Sequence, residues 1–255
     1  RKEFIVAYPP LSAQLIVFSR QAGGERAIER ILEDVKAAGF DAIECGPNMG
    51  AEEPRAFLRM LNRKGLRIGS FHGELTTALR DTFRLAEIYG VRDLCFSNMG
   101  GWESTSADEY LRDIETANHM GHACAARGIH LHYHNHAYEF APTDRGPTGM
   151  ELMLENLDPS VVDLCVDVAW VHVAGIDPTA FLREHAGRVG YVHLKDYTGD
   201  RHWVELGRGV VPLTEVMAAV NAPTRRACAT APAGHRLRMP PARRPHRARH
   251  QRRAD

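Results

Sequence analysis

The 255 residues carry 32 basic and 32 acidic side chains, 14 histidines besides, and are 44% hydrophobic, the proportions of a globular protein in one large domain or two small ones. No run approaches the roughly 18 apolar residues of a membrane span. The five cysteines are scattered without a CxxC, against a zinc ribbon or disulfide scaffold and for a reducing, cytoplasmic setting.

The opening RKEFIVAYPP has too short an apolar run for a signal peptide, and Arg1 in place of Met reads as a fragment or a processed chain. Leu15–Phe18 is short, apolar and β-branched, and predicts the first strand. A helix follows over Glu25–Ala38, where Ile28, Ile31, Leu32 and Val35 recur at helical spacing and Gly39 ends the run. Asp41–Glu44 reads as a strand and Pro54 opens a helix carrying Phe57, Leu58 and Leu61. Leu66–Phe71 is a strand, Thr76–Tyr89 a helix closed by Gly90, and Val91–Phe96 a strand. Ser106 caps a long helix reaching Gly128, with Glu109 at the capping-box position. Then come a strand at Ile129–Tyr133, a helix at Gly149–Asn156 and a strand at Val161–Val168. A helix at Pro178–Glu184, a strand at Val189–Leu194 and a short helix at Pro212–Val220 complete the pattern.

The balanced charge conceals two unlike parts. Ten of the basic residues and one acidic residue fall beyond Val220, so residues 1–220 are net acidic, with 22 basic against 31 acidic side chains. Residues 221–255 are Arg- and Pro-rich, carry no helical or strand period and read as disordered. Two origins compete for this basic tail: a segment that binds nucleic acid or acidic surfaces, and the out-of-frame end of a GC-rich gene, which the reading favours. The barrel-like body therefore ends at residue 220 on this reading.

Seven strand–helix units without a hairpin signal demand parallel pairing through right-handed crossovers. An open doubly wound sheet would want a glycine-rich turn after the first strand, and SRQAGGER is no GxGxxG. Polar residues instead gather where the strands end: Arg20, Glu44, His72, Glu74, Ser97, His134, Asp167 and His193. That distribution belongs to a (β/α)8 TIM barrel, an α/β fold whose chemistry sits at the carboxyl ends of the strands. No segment offers itself as the eighth strand, so the barrel is expected to be incomplete there.

Three of those ends carry the strongest chemistry: LHYHNHAYEF with His134, His136 and Glu139, LCVDVAWVH with Asp167, and YVHLKD with His193, Lys195 and Asp196. Asp167 stands in an apolar run, where an unpaired carboxylate would cost several kcal/mol, so it needs a cation or donors. Imidazole and carboxylate ligands suit one divalent ion, with His134, Asp167 and His193 as ligands. His132 shares the parity of His134, and Asp163 reads as a residue of the far end of its strand. His72 and Glu74 either bind substrate hydroxyls or pair with each other. In ELGRGVVP two glycines make a tight loop, and Glu205 and Arg208 could reach a sugar hydroxyl or phosphate. Trp170 reads as pocket lining.

YHNHAYEF, VDVAWVHVAGIDP, VHLKD and ELGRGVVP, in that order, resemble the xylose-isomerase-like TIM-barrel superfamily of sugar phosphate isomerases and epimerases, in its HNH-type subgroup. The resemblance runs from about Gln14 to Val220. It implies one metal held by a Glu after strand five, an Asp after strand six, a His after strand seven and a Glu after strand eight. Asp167 and His193 match, His134 stands where the first Glu would be, and the strand-eight Glu is absent. Manganese is the first ion implied, with cobalt, zinc, iron or magnesium as alternatives. The expected substrate is a small keto-sugar or cyclitol, and barrels of this family often form homodimers. Proton removal through an enediolate gives isomerisation or epimerisation, and loss of a leaving group gives dehydration instead. Glu139, Lys195 and His136 are the candidate bases. Endonuclease IV shares the superfamily, but the acidic body argues against a nucleic-acid partner. A non-catalytic barrel lacking its last strand is the remaining alternative.

Overall fold

The computed structural model describes residues 11–18, 25–220 and 226–229. Strand β1, Leu11–Gln14, runs into a single 3₁₀ turn at Leu15–Phe18, and α1 spans Glu25–Ala37. Then follow β2 (Ala42–Cys45), α2 (Pro54–Arg63), β3 (Arg67–Gly73), α3 (Arg80–Tyr89) and β4 (Asp93–Phe96). The second half holds α4 (Ala107–Ala125), β5 (His130–His134), α5 (Gly149–Asn156), β6 (Val162–Asp167), α6 (Val168–Val173) and α7 (Pro178–Glu184). It closes with β7 (Val189–Leu194), β8 (Asp196–Tyr197), β9 (Trp203–Val204), α8 (Leu213–Ala219) and β10 (Arg226–Ala229). The parallel strands β1 to β7 and β10 form one closed barrel, while β8 and β9 pair antiparallel beside it.

The helix boundaries follow local chemistry. Pro54 occupies the first turn of α2, where its missing N–H costs nothing. The Ser106 hydroxyl accepts from the Glu109 N–H at the start of α4, and Thr148 and Glu151 form a reciprocal capping box on α5. Gly90, at φ 72°, closes α3 in the left-handed conformation. Helix α3 nevertheless begins four residues later than the sequence predicts, because the Thr76 hydroxyl accepts from the Ala78 N–H and holds that segment in a turn.

The first strand also lies elsewhere than predicted. Ser12, Ala13 and Gln14 pair with Ala42, Ile43 and Glu44, and the apolar Leu15–Phe18 run is the 3₁₀ turn above them. Buried Ser12 and Gln14 make this strand look polar in the sequence. The β8–β9 hairpin was not anticipated either. Its intervening turn is tied by the Thr198 N–H donating to the His202 carbonyl at 2.8 Å.

Beyond residue 220, where the sequence reading ends the barrel-like body, one short strand follows. Arg226–Ala229 pairs on both sides, with Cys228 in register with Ser12 and with His193. Neither β1 nor β7 is left as an open edge. A ladder uses main-chain groups, so an Arg/Ala sequence does not forbid it. The eighth unit is still the reduced one: four residues, RACA, without a carboxylate. The rest of the Arg/Pro-rich tail, and Arg20 at the other end, lie outside the described residues. No helix among the described residues is long and apolar enough to cross a membrane.

Alternation along each strand sends one set of side chains toward the helices and the other into the barrel. Ile43, Phe71, Leu94, Leu131, Leu164 and Val192 join the helix residues Leu32, Leu61, Leu85 and Val216 in one large apolar core. The complementary set is polar or sulfur-bearing: Ser12, Gln14, Glu44, Ser70, Cys95, His132, His134, Cys165, Asp167, Tyr191 and His193, all buried.

Candidate active site

The carboxyl ends of β5, β6 and β7 bring the three predicted metal ligands together. His134, Asp167 and His193 each offer a ligand atom, and these atoms lie within 4.8 Å of one another. Asp167 ends β6 and caps α6 at once: its Oδ1 accepts from the Ala169 and Trp170 N–H groups at 3.0 and 3.1 Å. Its Oδ2 is buried without a hydrogen bond, 4.0 Å from His134 Nε2 and from Lys195 Nζ. Asn135 locks the two strands in place, its Oδ1 accepting from the Asp167 N–H at 2.9 Å. An unsatisfied carboxylate oxygen facing two imidazoles is a donor set that fits a divalent transition ion.

Glu44, fully buried on β2, reaches across the barrel to His193. The His193 Nε2 donates to it at 3.0 Å, and Gln14 Nε2 and the Ser70 hydroxyl donate at 2.9 and 2.8 Å. Burial opposes charge on both partners, but their mutual attraction prevails. Glu44 is held well below the usual carboxylate range and His193 is pushed up to about 10. A bound ion would replace the His193 proton. Burial, reinforced by His193, His136, His72 and Lys195, drives the His134 pKa down, so that imidazole is neutral. His72 closes the ring, with Nδ1 3.5 Å from Glu44 Oε1 and Nε2 3.4 Å from the Ser97 hydroxyl.

The three candidate bases occupy different settings. Lys195 Nζ lies 4.0 Å over the Trp203 ring and 5.3 Å from that of Trp170. Burial lowers the Lys195 pKa, and Asp167 opposes the change. His136 sits in an aromatic wall, stacked on Tyr138 at 5.4 Å and edge-on to Trp102 and Trp170 at 5.1 and 5.5 Å. Glu139 lies behind it, fully buried, accepting from the Tyr133 hydroxyl at 2.6 Å and the His136 N–H at 2.8 Å. Both of its oxygens are engaged, which makes it a clamp on the β5 loop.

The remaining predicted residues separate. Trp170 is 8% exposed and lines the mouth, edge-on to Trp203 at 5.2 Å. Glu74 is exposed on the loop after β3, and His72 pairs with Glu44 rather than with it. Glu205 and Arg208 are exposed on the loop after β9. That loop is organised by Asp196, whose carboxylate accepts from the N–H groups of Tyr197, Gly207, Gly209 and Val211 at 2.8–3.1 Å. A methyl group on Gly209 would overlap the Asp196 carboxylate and the Tyr197 carbonyl. The second glycine of ELGRGVVP therefore admits a protein carboxylate, not a ligand. His132 and Asp163 belong to the far end of the barrel, where His132 Nε2 meets Asp93 at 3.1 Å.

Sequence reasoning missed the Glu44–His193 pair, the Asp196 hub and the Trp102–Tyr138 wall. A lone carboxylate in the apolar AIEC strand was the one available signal for the first.

Residues 32–229 match the family model described as xylose isomerase-like TIM barrel. Among curated proteins the chain is 28% identical over 197 residues to an inosose dehydratase of Geobacillus kaustophilus, covering 68% of this chain and 63% of that protein. The chain thus spans less than two thirds of that relative. Among solved structures, a sugar phosphate isomerase/epimerase from Parabacteroides distasonis superposes with a TM-score of 0.73 at 19% identity, covering 90% of this chain and 88% of that one. The probable 3-DHS dehydratase AsbF of Bacillus anthracis gives 0.67 at 17% identity, covering 86% and 92%. At such identities these two likenesses speak for the fold.

Proposed function

Because the chain belongs to the xylose isomerase-like TIM-barrel family, we propose that it is a metal-dependent enzyme that removes a carbon-bound proton beside the carbonyl of a keto-sugar or cyclitol. The observation that carries this reading is the convergence of His134, Asp167 and His193 within 4.8 Å, with Lys195 4.0 Å from Asp167. These three residues would hold the ion, which when bound supplies a Lewis acid for the substrate oxygens. Lys195 Nζ lies 4.0 Å from Asp167 Oδ2 and the His136 ring lies edge-on to that of His134 at 5.0 Å, so proton transfer is assigned to this pair. Either Lys195 takes the proton and His136 delivers one of its own to another carbon or face, or His136 both takes and returns the proton while Lys195 steadies the developing oxyanion. The rings of Trp102, Tyr138, Trp170 and Trp203 give the C–H faces of a sugar apolar surface and exclude water.

Isomerisation or epimerisation is the primary reading, since two proton-carrying groups can serve two carbons or two faces. Dehydration uses the same pair, one group taking the proton and the other protonating the departing hydroxyl. The likeness to an inosose dehydratase favours that second reading.

The test is proton exchange. With manganese and a panel of inososes and keto-sugars in deuterium oxide, the native chain should place deuterium at one carbon, and Asp167→Ala should lose both exchange and bound ion. An epimer or isomer in the product spectrum supports the first reading, and an enone or diketone formed with loss of water supports the second. Metal retained at full occupancy in Asp167→Ala would overturn the ligand assignment.

A further inference from the structure

Beneath the mouth, the barrel interior places two thiols beside a histidine of the mouth trio. Cys95 on β4, Cys165 on β6 and His193 on β7 are each fully buried, and their ligand atoms lie within 4.8 Å of one another. Cys95, Cys165 and Tyr191 form their own cluster, separate from the large apolar core. Cys165 lies one inward step down β6 from Asp167, and its Sγ is 4.0 Å from His134 Nδ1. Two sulfurs and two imidazoles drawn from four adjacent strands form a rigid set of donors of the kind that selects thiophilic ions over hard ones.

We propose that Cys95, Cys165 and His193, with His134 as the fourth donor, form a thiophilic metal site inside the barrel, taking an ion such as Zn2+ or Cd2+. Each thiol that binds loses its proton to solvent. His193 has its Nε2 committed to Glu44 at 3.0 Å, which leaves one ring nitrogen. One nitrogen serves one ion, so the interior position and the mouth trio exclude each other. A harder ion resides with Asp167 and a thiophilic ion with the sulfurs, and the second silences the first. The binding half of this inference stands by itself. The inhibitory half rests on the function proposed above.

The experiment uses the full metal-free chain titrated with Cd2+, read by the ultraviolet cadmium–thiolate charge-transfer band. A band saturating at one ion per chain is expected. Cys95→Ser and Cys165→Ser should each weaken it by about tenfold or more, while Cys45→Ser/Cys124→Ser leaves it unchanged. A second readout needs no substitution: bound Cd2+ should protect Cys95 and Cys165 of the native chain from alkylation, mapped by mass spectrometry. The absence of a band in the native chain, or alkylation of both cysteines at the unprotected rate, overturns the site. For exclusion, Mn2+ binding followed by electron paramagnetic resonance should fall in proportion to Cd2+ loading. Undiminished Mn2+ binding overturns the sharing of His193. If Mn2+ never binds the native chain, the proposed function fails, and the cadmium band still decides this site.

Discussion

The two faces of the barrel strands obey different rules. Toward the helices, Leu131, Leu164 and Val192 belong to one apolar core with Leu32, Leu61 and Leu85, and what matters is volume. Toward the axis, Glu44, His134, Asp167 and His193 are equally inaccessible, and what matters is that each polar atom finds a partner. The outer face should therefore govern stability with little say in ion binding. The inner face should govern ion binding through groups whose replacement by isosteres barely changes packing.

The largest effect expected on the outer face is from Leu61→Ala. This side chain is fully buried, and its truncation should cost about 2–5 kcal/mol in urea unfolding through lost burial and a residual cavity. Ions bound per folded chain should stay constant. A fall in stoichiometry among molecules that remain folded would break the division between the faces.

On the inner face the sharpest probe is Glu44→Gln. The substitution keeps the shape, but it removes the charge opposite His193 and places an amide where Gln14, Ser70 and His193 all donate. Divalent-ion affinity should drop about 10–100-fold, as is usual when the carboxylate behind a ligating histidine is lost. Calorimetric titration of the purified variant reads this directly. Unchanged affinity would mean that His193 is held by something other than Glu44.

The difference between the faces also explains how much could be read from the sequence. The outer face was legible because it repeats: α1 is visible in Ile28, Ile31, Leu32 and Val35, and α5 begins at the predicted Gly149. The convergence of His134, Asp167 and His193 was legible because each stands at or beside the carboxyl end of its strand. The first strand was not, since Ser12 and Gln14 give it a polar inward side and the apolar run beside it is a turn. Arg226–Ala229 was hidden for a related reason: main-chain pairing between β1 and β7 makes it a strand, and main-chain pairing leaves no trace in composition. The loop contacts of Glu139 and Asp196 were not legible, because a carboxylate that accepts from backbone N–H groups has the same sequence signature as one that meets a substrate.

A probe of smaller effect, on the loop beside the mouth, is Gly209→Ala. The added methyl must displace the Asp196 carboxylate or the Tyr197 carbonyl, at about 1–3 kcal/mol for overpacking. Since Asp196 gathers the loop that follows Trp203, and Trp203 covers Lys195 at 4.0 Å, turnover should fall more than ion affinity does. Equal losses in both would show that this loop supports the ion site itself.

The smallest effect tests the division from outside. Thr148 caps α5 reciprocally with Glu151, accepting from its N–H at 3.1 Å while the Glu151 carboxylate accepts from the Thr148 N–H at 2.7 Å. Thr148→Ala removes the cap that satisfies an otherwise unpaired N–H at the helix start and should cost about 1 kcal/mol. The stability decrement should appear in thermal or urea unfolding, with ion affinity and proton exchange both unmoved. The mouth residues are fixed by strand ends and by contacts among themselves, such as Asn135 to Asp167 at 2.9 Å. A helix that frays at its outer end has no lever on them. If Thr148→Ala weakened ion binding as much as it weakened the fold, the interior would be sensing helix packing, and the two faces of the barrel would be one cooperative unit.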